Sequence, residues 1–409
     1  MRVCNGSTVF SPMLEVSISD TKFRSAPEPL PARKPGPAEH ILVVLHDFAG
    51  GGTERVAIRL ANQWARMGRN VRIFCGTEAG PLRGLVDPAV SVEQADPVLP
   101  RSPLSRIRLG IALARAAERF GADAVFAPGN FHFLAMAVFA RADRSGAVTL
   151  AKISNPLVRR DRTGLAGWVR HRVMRLLTAR VGTLVAMSPA LRAEAATLLP
   201  AERVAARWEP LIPSGRKSAS TPAERDPTLI VATGRLEPQK NFALAIEAMA
   251  HLGRWSDARL VILGDGSERT SLERMIEQFG LQERVTLAGH VPDVGPWLER
   301  AACYLMTSHY EGYPASLVEA LANGLPAVVT PCSPALSEIL PRDGLTSVST
   351  ADAGAIACAL QTVLRRQQLQ SVDPMLLARH DEERAAASYL DLIDRCVRES
   401  AVTLLRKAR

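Results

Sequence analysis

Short apolar runs alternate with longer helix-like stretches along most of this chain, and the pattern occurs twice. In the first half the runs are 41–45, 71–75, 124–127, 148–153 and 183–187. In the second half they are 228–233, 260–263, 285–287, 303–306 and 327–330. Most are nearly continuous in apolar residues. A strand covered on both faces of a parallel sheet needs such a run, whereas a half-exposed strand alternates. Helical stretches such as 54–67 and 242–252 lie between some of the runs. The order predicts an α/β protein of two doubly wound parallel-sheet units. Ligands of such sheets bind outside the carboxyl ends of the strands, so two facing units predict a shared cleft.

A length of 409 residues accommodates two or three domains. Residues 1–38 carry Pro27, Pro29, Pro31, Pro35 and Pro37 and read as a mobile extension with no packing duty. They lack the charged-then-apolar order of a signal peptide. The first unit is expected at 39–210 and the second at 228–380. A linker at 211–227 holds Pro213, Ser214, Gly215, Ser218, Ser220 and Pro222. Residues 381–409 read as a helical segment able to pack against either unit. No apolar run reaches the ~18–20 residues that span a bilayer.

The chain is 47% hydrophobic and 22% charged, which suits a packed globular protein. A formal charge of +9 favours anionic partners such as phosphates or acidic lipid. The plain alternative is that arginine is simply abundant. No nucleic-acid-binding signature accompanies the charge, so nucleic acid is not an expected partner. Cys4, Cys75, Cys303, Cys332, Cys358 and Cys396 form no C-x-x-C pair. They read as reduced, mostly buried thiols, and no metal site is expected.

Three segments carry candidate chemistry. Gly50-Gly51-Gly52-Thr53 follows the first strand and opens a helix. Its glycines let backbone approach a ligand, and helix N-terminal amides then face an anion. The alternative is a tight turn in which Thr53 caps the helix. Gly234-Arg235-Leu236 with Lys240-Asn241 follows the first strand of the second half. There Arg235 and Lys240 are placed to clamp a diphosphate, and cations at a departing diphosphate stabilise the transition state more than the ground state. The alternative is two solvated loop charges. The densest segment is Glu311-Gly312-Tyr313-Pro314-Ala315-Ser316-Leu317, continuing to Glu319 and Gly324. The amides from Gly312 to Leu317 are candidates to face the cleft. Ser316 and Glu319 also fit a capping box, which would employ Glu319 only at the helix start.

Together these segments resemble the retaining GT-B glycosyltransferases that include many bacterial lipopolysaccharide and lipid-linked glycan transferases. The resemblance covers about 40–340. It rests on the E-x7-E element from Glu311 to Glu319, on Gly234, Arg235, Leu236, Lys240 and Asn241, and on Gly264-Asp265-Gly266 after the run 260–263. Tyr313 stands where that family usually has Phe. The resemblance implies a GT-B fold, two Rossmann-like doubly wound parallel-sheet domains facing a cleft. It implies that Arg235 and Lys240 hold the donor diphosphate, Glu319 the ribose, and Glu311 the donor sugar. His290 and Val291 would lie beside the base, and Gly51 and Gly52 would line the opposite wall. It further implies no obligate metal or other cofactor, and a UDP- or GDP-sugar as donor. A histidine that contacts the sugar is also implied, with His132 the candidate and His46 the weaker alternative.

Arg159, Arg160, Arg162, Arg170, Arg172, Arg175 and Arg180 stand against one acid, Asp161, with Trp168, Val169, Val173 and Leu176 interspersed. This stretch fits an anionic membrane surface, while an ordinary amphipathic helix with a solvated basic face is the alternative. The expected partners are therefore a nucleotide sugar, a glycan or lipid-linked acceptor, and an acidic membrane surface. The expected location is the cytoplasm, at the inner face of the cell membrane if the basic segment docks there. Two rival readings stay open: a GT-B sugar-nucleotide epimerase and a noncatalytic sugar-nucleotide-binding protein. A dehydrogenase is disfavoured because the dinucleotide fingerprint is missing.

Overall fold

A computed structural model describes residues 36–157, 164–215, 225–253, 257–340, 347–348, 350–366, 368 and 372–407. Two all-parallel sheets carry them. The first comprises β1 (His40–Leu45), β2 (Asn70–Cys75), β3 (Ser91–Gln94), β4 (Ala124–Ala127), β5 (Val148–Lys152), β6 (Thr183–Ala186) and β7 (Val204–Ala206). Its spatial order is β3-β2-β1-β4-β5-β6-β7. The second comprises β8 (Leu229–Thr233), β9 (Arg259–Leu263), β10 (Val285–Gly289), β11 (Cys303–Met306), β12 (Ala327–Val329) and β13 (Ser347–Val348), in the order β10-β9-β8-β11-β12-β13. Each sheet winds outward in both directions from its first strand. The direction reverses between β1 and β4 and again between β8 and β11, and ligands bind at such switch points.

The apolar runs become the inner strands for the expected reason. Ile41 to Leu45 and Ala124 to Ala127 are fully buried, because helices cover both faces of the sheet. The sequence pattern misses three strands, β3, β7 and β13, all at sheet edges. Ser91 and Gln94 are exposed, so β3 has no continuous apolar run to read.

The C-terminal helix Glu382–Lys407 packs against the helix Gly52–Arg66 of the first sheet's layer. Trp64 is fully buried there beside Phe126 and Tyr389, and its indole N–H donates to Ala386 O at 3.0 Å. Burying such a ring contributes about 1.5–3 kcal/mol, provided its N–H finds a partner. The chain crosses between sheets twice, side by side. Leu211 N and Ile212 N donate to His380 O at 3.0 and 2.9 Å, and Glu382 N donates to Ile212 O at 2.9 Å. Arg59 holds both passes, donating to Pro210 O and Leu211 O and pairing with Glu382.

Several expectations need correction. Most of the 1–38 extension lies outside the described residues, but Ala38 is buried and its N–H donates to Asp394 Oδ1 at 2.8 Å. Within the 211–227 linker, 216–224 lies outside the described residues. Leu211 and Ile212 are buried because the crossover packs them. Thr53 does not cap its helix; the cap position is Gly51. Cys75, Cys303 and Cys332 are buried and burial pushes their thiols up to about 12, but Cys358 is exposed. Cys4 lies outside the described residues. Among the described residues no helix is long and apolar enough to cross a membrane.

Candidate active site

Both switch points open onto one cleft of about 540 Å³. Its second-sheet wall is built on glycines. Gly234 has φ 151° and Gly264 φ 150°, a backbone region open mainly to glycine. A Cβ on Gly264 would lie 1.8 Å from Gly234 O, and one on Gly234 would lie 2.8 Å from Lys240 Cε. The turns after β8 and β9 therefore nest in van der Waals contact. The Lys240 stem crosses directly over Gly234.

Lys240 closes a short turn, Pro238–Lys240, before the helix Phe242–His251. Its Nζ lies 2.7 Å from Glu311 Oε1, which also accepts from Ser308 Oγ at 2.6 Å. Glu311 is buried, so its charge needs these partners. Ser308 and Glu311 come from the loop after β11, the strand next to β8. Adjacency across the switch point thus brings cation and carboxylate together from positions 71 residues apart.

The same loop joins the two walls. A Cβ on Gly312 would lie 2.2 Å from Ser154 O, so glycine allows contact with the loop after β5. Tyr313 is buried and its hydroxyl lies 2.8 Å from His380 Nε2. His380 Nδ1 lies 2.9 Å from Glu209 O. A carbonyl only accepts, so Nδ1 carries the proton and Nε2 accepts from the tyrosine. Burial lowers the His380 pKa to about 4, keeping the ring neutral.

The structure gathers most of the expected residues. Gly51, Gly52, Gly234, Arg235, Lys240, Gly264, His290, Val291, Glu311, Tyr313, Pro314, Ala315, Ser316 and Glu319 all line the cleft. Gly266, Gly312, Leu317 and His132 do not line it. Gly266 is pressed against Leu236, where a Cβ would meet Leu236 O at 2.5 Å. Leu317 is fully buried under its helix. The proposed row of cleft-facing amides is partly used internally, since Ala315 N donates to Tyr313 O and Leu317 N to Pro314 O. The capping box is absent. The helix Ala315–Ala322 is capped by Pro314, and Ser316 Oγ accepts instead from Tyr304 OH at 2.8 Å. That leaves Glu319 on the cleft wall rather than at a cap.

His132 is 1% exposed, and neither ring nitrogen has a hydrogen-bond partner. Burial lowers its pKa to about 3. His46 is also buried, with Nε2 2.8 Å from Ser105 Oγ and Nδ1 3.2 Å from Asp47 Oδ2. Phe131 packs edge-on against both rings. Both histidines lie behind the wall rather than on it.

The two buried rings make a stability prediction. The unfolded chain takes up protons near pH ~6.5, whereas His380 and His132 resist protonation in the fold until about 4 and about 3. Stability is therefore full above that pH and falls with acidification, by about 1.4 kcal/mol per pH unit for each ring. Denaturant unfolding at pH 7 and 5 should show this loss. His132→Phe should shallow the slope by about one proton; an unchanged slope would remove His132 from the account.

Sequence reasoning missed Lys152 and Glu209, which also line the cleft. They are 1% and 4% exposed, with Nζ 2.7 Å from Oε2, and Tyr389 OH donates to Glu209 Oε1 at 3.3 Å. The available signal was a lone charge inside the apolar run 148–153. Of the basic stretch, Arg159, Arg160, Asp161 and Arg162 lie outside the described residues. The helix Gly164–Thr178 carries Arg172 and Arg175 exposed, with the Arg172 guanidinium 5.4 Å from the Trp168 ring centre. Its exposed side is more apolar than a solvated basic face, with Leu165 at 77%, Trp168 at 58% and Leu176 at 65% exposure.

Residues 214–372 match the family model "Glycosyl transferases group 1". That stretch is similar to group 1 glycosyl transferase domains. Residues 51–207 match the "Glycosyl transferase 4-like domain" model. The chain is 29% identical over 185 residues to the lipopolysaccharide core biosynthesis glycosyltransferase LpsE of Rhizobium meliloti, covering 44% of this chain and 52% of LpsE. It is 36% identical over 118 residues to a Campylobacter jejuni enzyme named as a diphospho-undecaprenol N-acetylgalactosaminyltransferase, covering 28% of this chain and 31% of that one. The chain spans from 18% to 56% of the length of the curated relatives it matches. The structure of Anabaena HepE in complex with UDP-glucose superposes with a TM-score of 0.67 at 16% identity, over 89% of this chain and 99% of that one. The fold is GT-B, and the stretch similar to group 1 glycosyl transferases lies in its second half.

Proposed function

We propose that this chain transfers a sugar from a nucleoside diphosphate sugar to a hydroxyl of a glycan or lipid-linked acceptor, with retention of anomeric configuration. The observation that carries the reading is the Lys240–Glu311 pair on the cleft wall with Arg235, opposite the glycine loop at Gly51 and Gly52. Lys240 and Arg235 meet the diphosphate and stabilise the charge that develops as the sugar bond breaks. Glu311 holds the ammonium in place and faces the donor sugar. Glu319 takes the ribose, and His290 and Val291 lie beside the base. The acceptor oxygen attacks the face that the diphosphate leaves, and its proton passes to the departing phosphate. Burial of the reacting groups between two walls limits hydrolysis of the donor. The relatives named in glycan assembly and the HepE complex with UDP-glucose support this choice of substrates. The proposed location is the cytoplasm, at the inner face of the membrane.

Nucleotide sugars supply the test. A ligand that binds only the folded state stabilises it by about 2.7 kcal/mol at a hundred times its Kd. In a thermal-shift series, a UDP- or GDP-sugar should raise the melting temperature most. The matching donor should then yield a product whose NMR coupling constants show the donor's own anomer. Inversion would overturn the stereochemical part, and no shift with any nucleotide sugar would overturn the whole.

A further inference from the structure

We propose that Tyr304 is a positioning residue for the donor: it fixes the Ser316 hydroxyl so that Ser316 gives its proton to an oxygen of the diphosphate. This rests on the transfer reading above and adds a neutral hydrogen-bond donor to the two cations. Tyr304 lies on β11 and is fully buried. Its hydroxyl stands between two others, Thr233 Oγ at 3.0 Å and Ser316 Oγ at 2.8 Å. Thr233 ends β8, and Ser316 sits in the first turn of the helix Ala315–Ala322. Both line the cleft that Arg235 and Lys240 also line.

Counting protons sets the direction of this row. A phenol has one proton, and Tyr304 gives it to Ser316. The contact with Thr233 is then a hydrogen bond only if Thr233 donates to the phenol oxygen. The protons therefore point one way, from Thr233 to Tyr304 to Ser316. The Ser316 proton is the last in the row, and none of the described residues accepts it. The open side of Ser316 is the cleft. Burial, with Glu311 and Glu319 nearby, raises the pKa of the Tyr304 phenol, so the proton that orients Ser316 stays on it at neutral pH.

The chemistry selects the partner. Ser316 already accepts from the phenol, so toward the cleft it acts as a donor. In a cleft that also holds Arg235 and Lys240, the atom suited to cations and a hydroxyl proton together is an oxygen with negative charge and no proton of its own. That describes the diphosphate rather than a sugar hydroxyl. Donation to a charged oxygen is stronger than donation to a neutral one, and in a row of hydroxyls each bond polarises the next. Without the phenol the Ser316 hydroxyl turns freely and loses this preorganisation. The row needs β8, β11 and the loop after β11 to meet at the switch point, so neither Thr233 nor Tyr304 belongs to the loop motif.

The test is calorimetric binding of UDP, GDP, uridine and guanosine to the full chain and its variants. Ser316→Ala should weaken the nucleoside diphosphate that binds by about tenfold and leave its nucleoside unchanged, since only the diphosphate takes the proton. Ser316→Thr keeps a hydroxyl and should stay within about twofold of the parent. Tyr304→Phe should weaken the diphosphate by about threefold to fivefold, again sparing the nucleoside. The double variant should bind no more weakly than Ser316→Ala alone, because Tyr304 acts only through Ser316. Melting temperatures report folding. Water can replace the phenol at both wall hydroxyls in Tyr304→Phe, and the two Ser316 variants carry the test if that chain does not fold. Equal losses for diphosphate and nucleoside would mean a damaged wall and overturn the proposal. Losses that add in the double variant would overturn the positioning role of Tyr304. A parent that binds UDP or GDP while Ser316→Ala binds it equally well sinks this inference alone. A parent that binds neither sinks the donor reading, and this inference with it.

Discussion

Lys240→Ala should lower kcat for sugar transfer by about a thousandfold while leaving KM for the donor within a few-fold. Removing one preorganised donor from a site of developing charge costs about 10²–10³ in rate. Here the loss also strips buried Glu311 of its cation, leaving only the Ser308 hydroxyl on that oxygen. Lys240→Arg should recover little of the loss. The lysine stem fits over Gly234 with no room to spare, and a planar fork replaces a compact ammonium. Steady-state kinetics with the donor identified by thermal shift would decide it. A kcat within threefold of the parent would move the diphosphate away from Lys240 and end the proposed mechanism. A protein that binds nucleotide sugars without turning them over would have no kcat to lose, which separates the binding-protein alternative.

The largest stability effect should come from Gly264→Ala. The added methyl would sit 1.8 Å from Gly234 O, and the backbone there has φ 150°. Neither contact partner is a flexible side-chain end, so the turns after β8 and β9 must separate. Backbone strain and overpacking together cost about 3–5 kcal/mol. Chemical denaturation should show that loss, and the donor's thermal shift should vanish because the nested turns carry Gly234 and Lys240. Gly52→Ala is the contrast, since a Cβ there meets nothing within 4 Å. Equal stability of Gly264→Ala and the parent would mean that the nesting is not as tight as described.

The sheets were legible because their inner strands have only one physical way to be buried, and continuous apolar runs record it. Edge strands such as Ser91–Gln94 have one neighbour and an open side, so their composition carries little signal. Pairing of Lys240 with Glu311 was not written in any local pattern. It follows from β8 and β11 being neighbours, which only the strand order reveals. The motif marked loops that line the cleft but not which members face it. Gly312 and Gly266 serve close backbone packing, where glycine at a ligand and glycine at a wall look alike in sequence. Ser316 and Glu319 fit a capping box by spacing, yet Pro314, not Ser316, holds the cap position. The loose motif around His132 could not tell a buried ring from a presented one. Burial decides that, and burial is a property of the assembled wall.

The packing of Glu382–Lys407 against Gly52–Arg66 has a consequence for how the molecule is made. Trp64 donates its indole N–H to a carbonyl 322 positions later. A growing polypeptide emerging from the ribosome would therefore present the first-sheet lobe with one flank bare until Glu382–Lys407 arrives. Over that interval Trp64 and Phe126 would wait without Tyr389. Lobes usually mature in order of synthesis, but this one waits for a segment made after the second lobe, so a chain stopped before Glu382–Lys407 would damage a lobe already made.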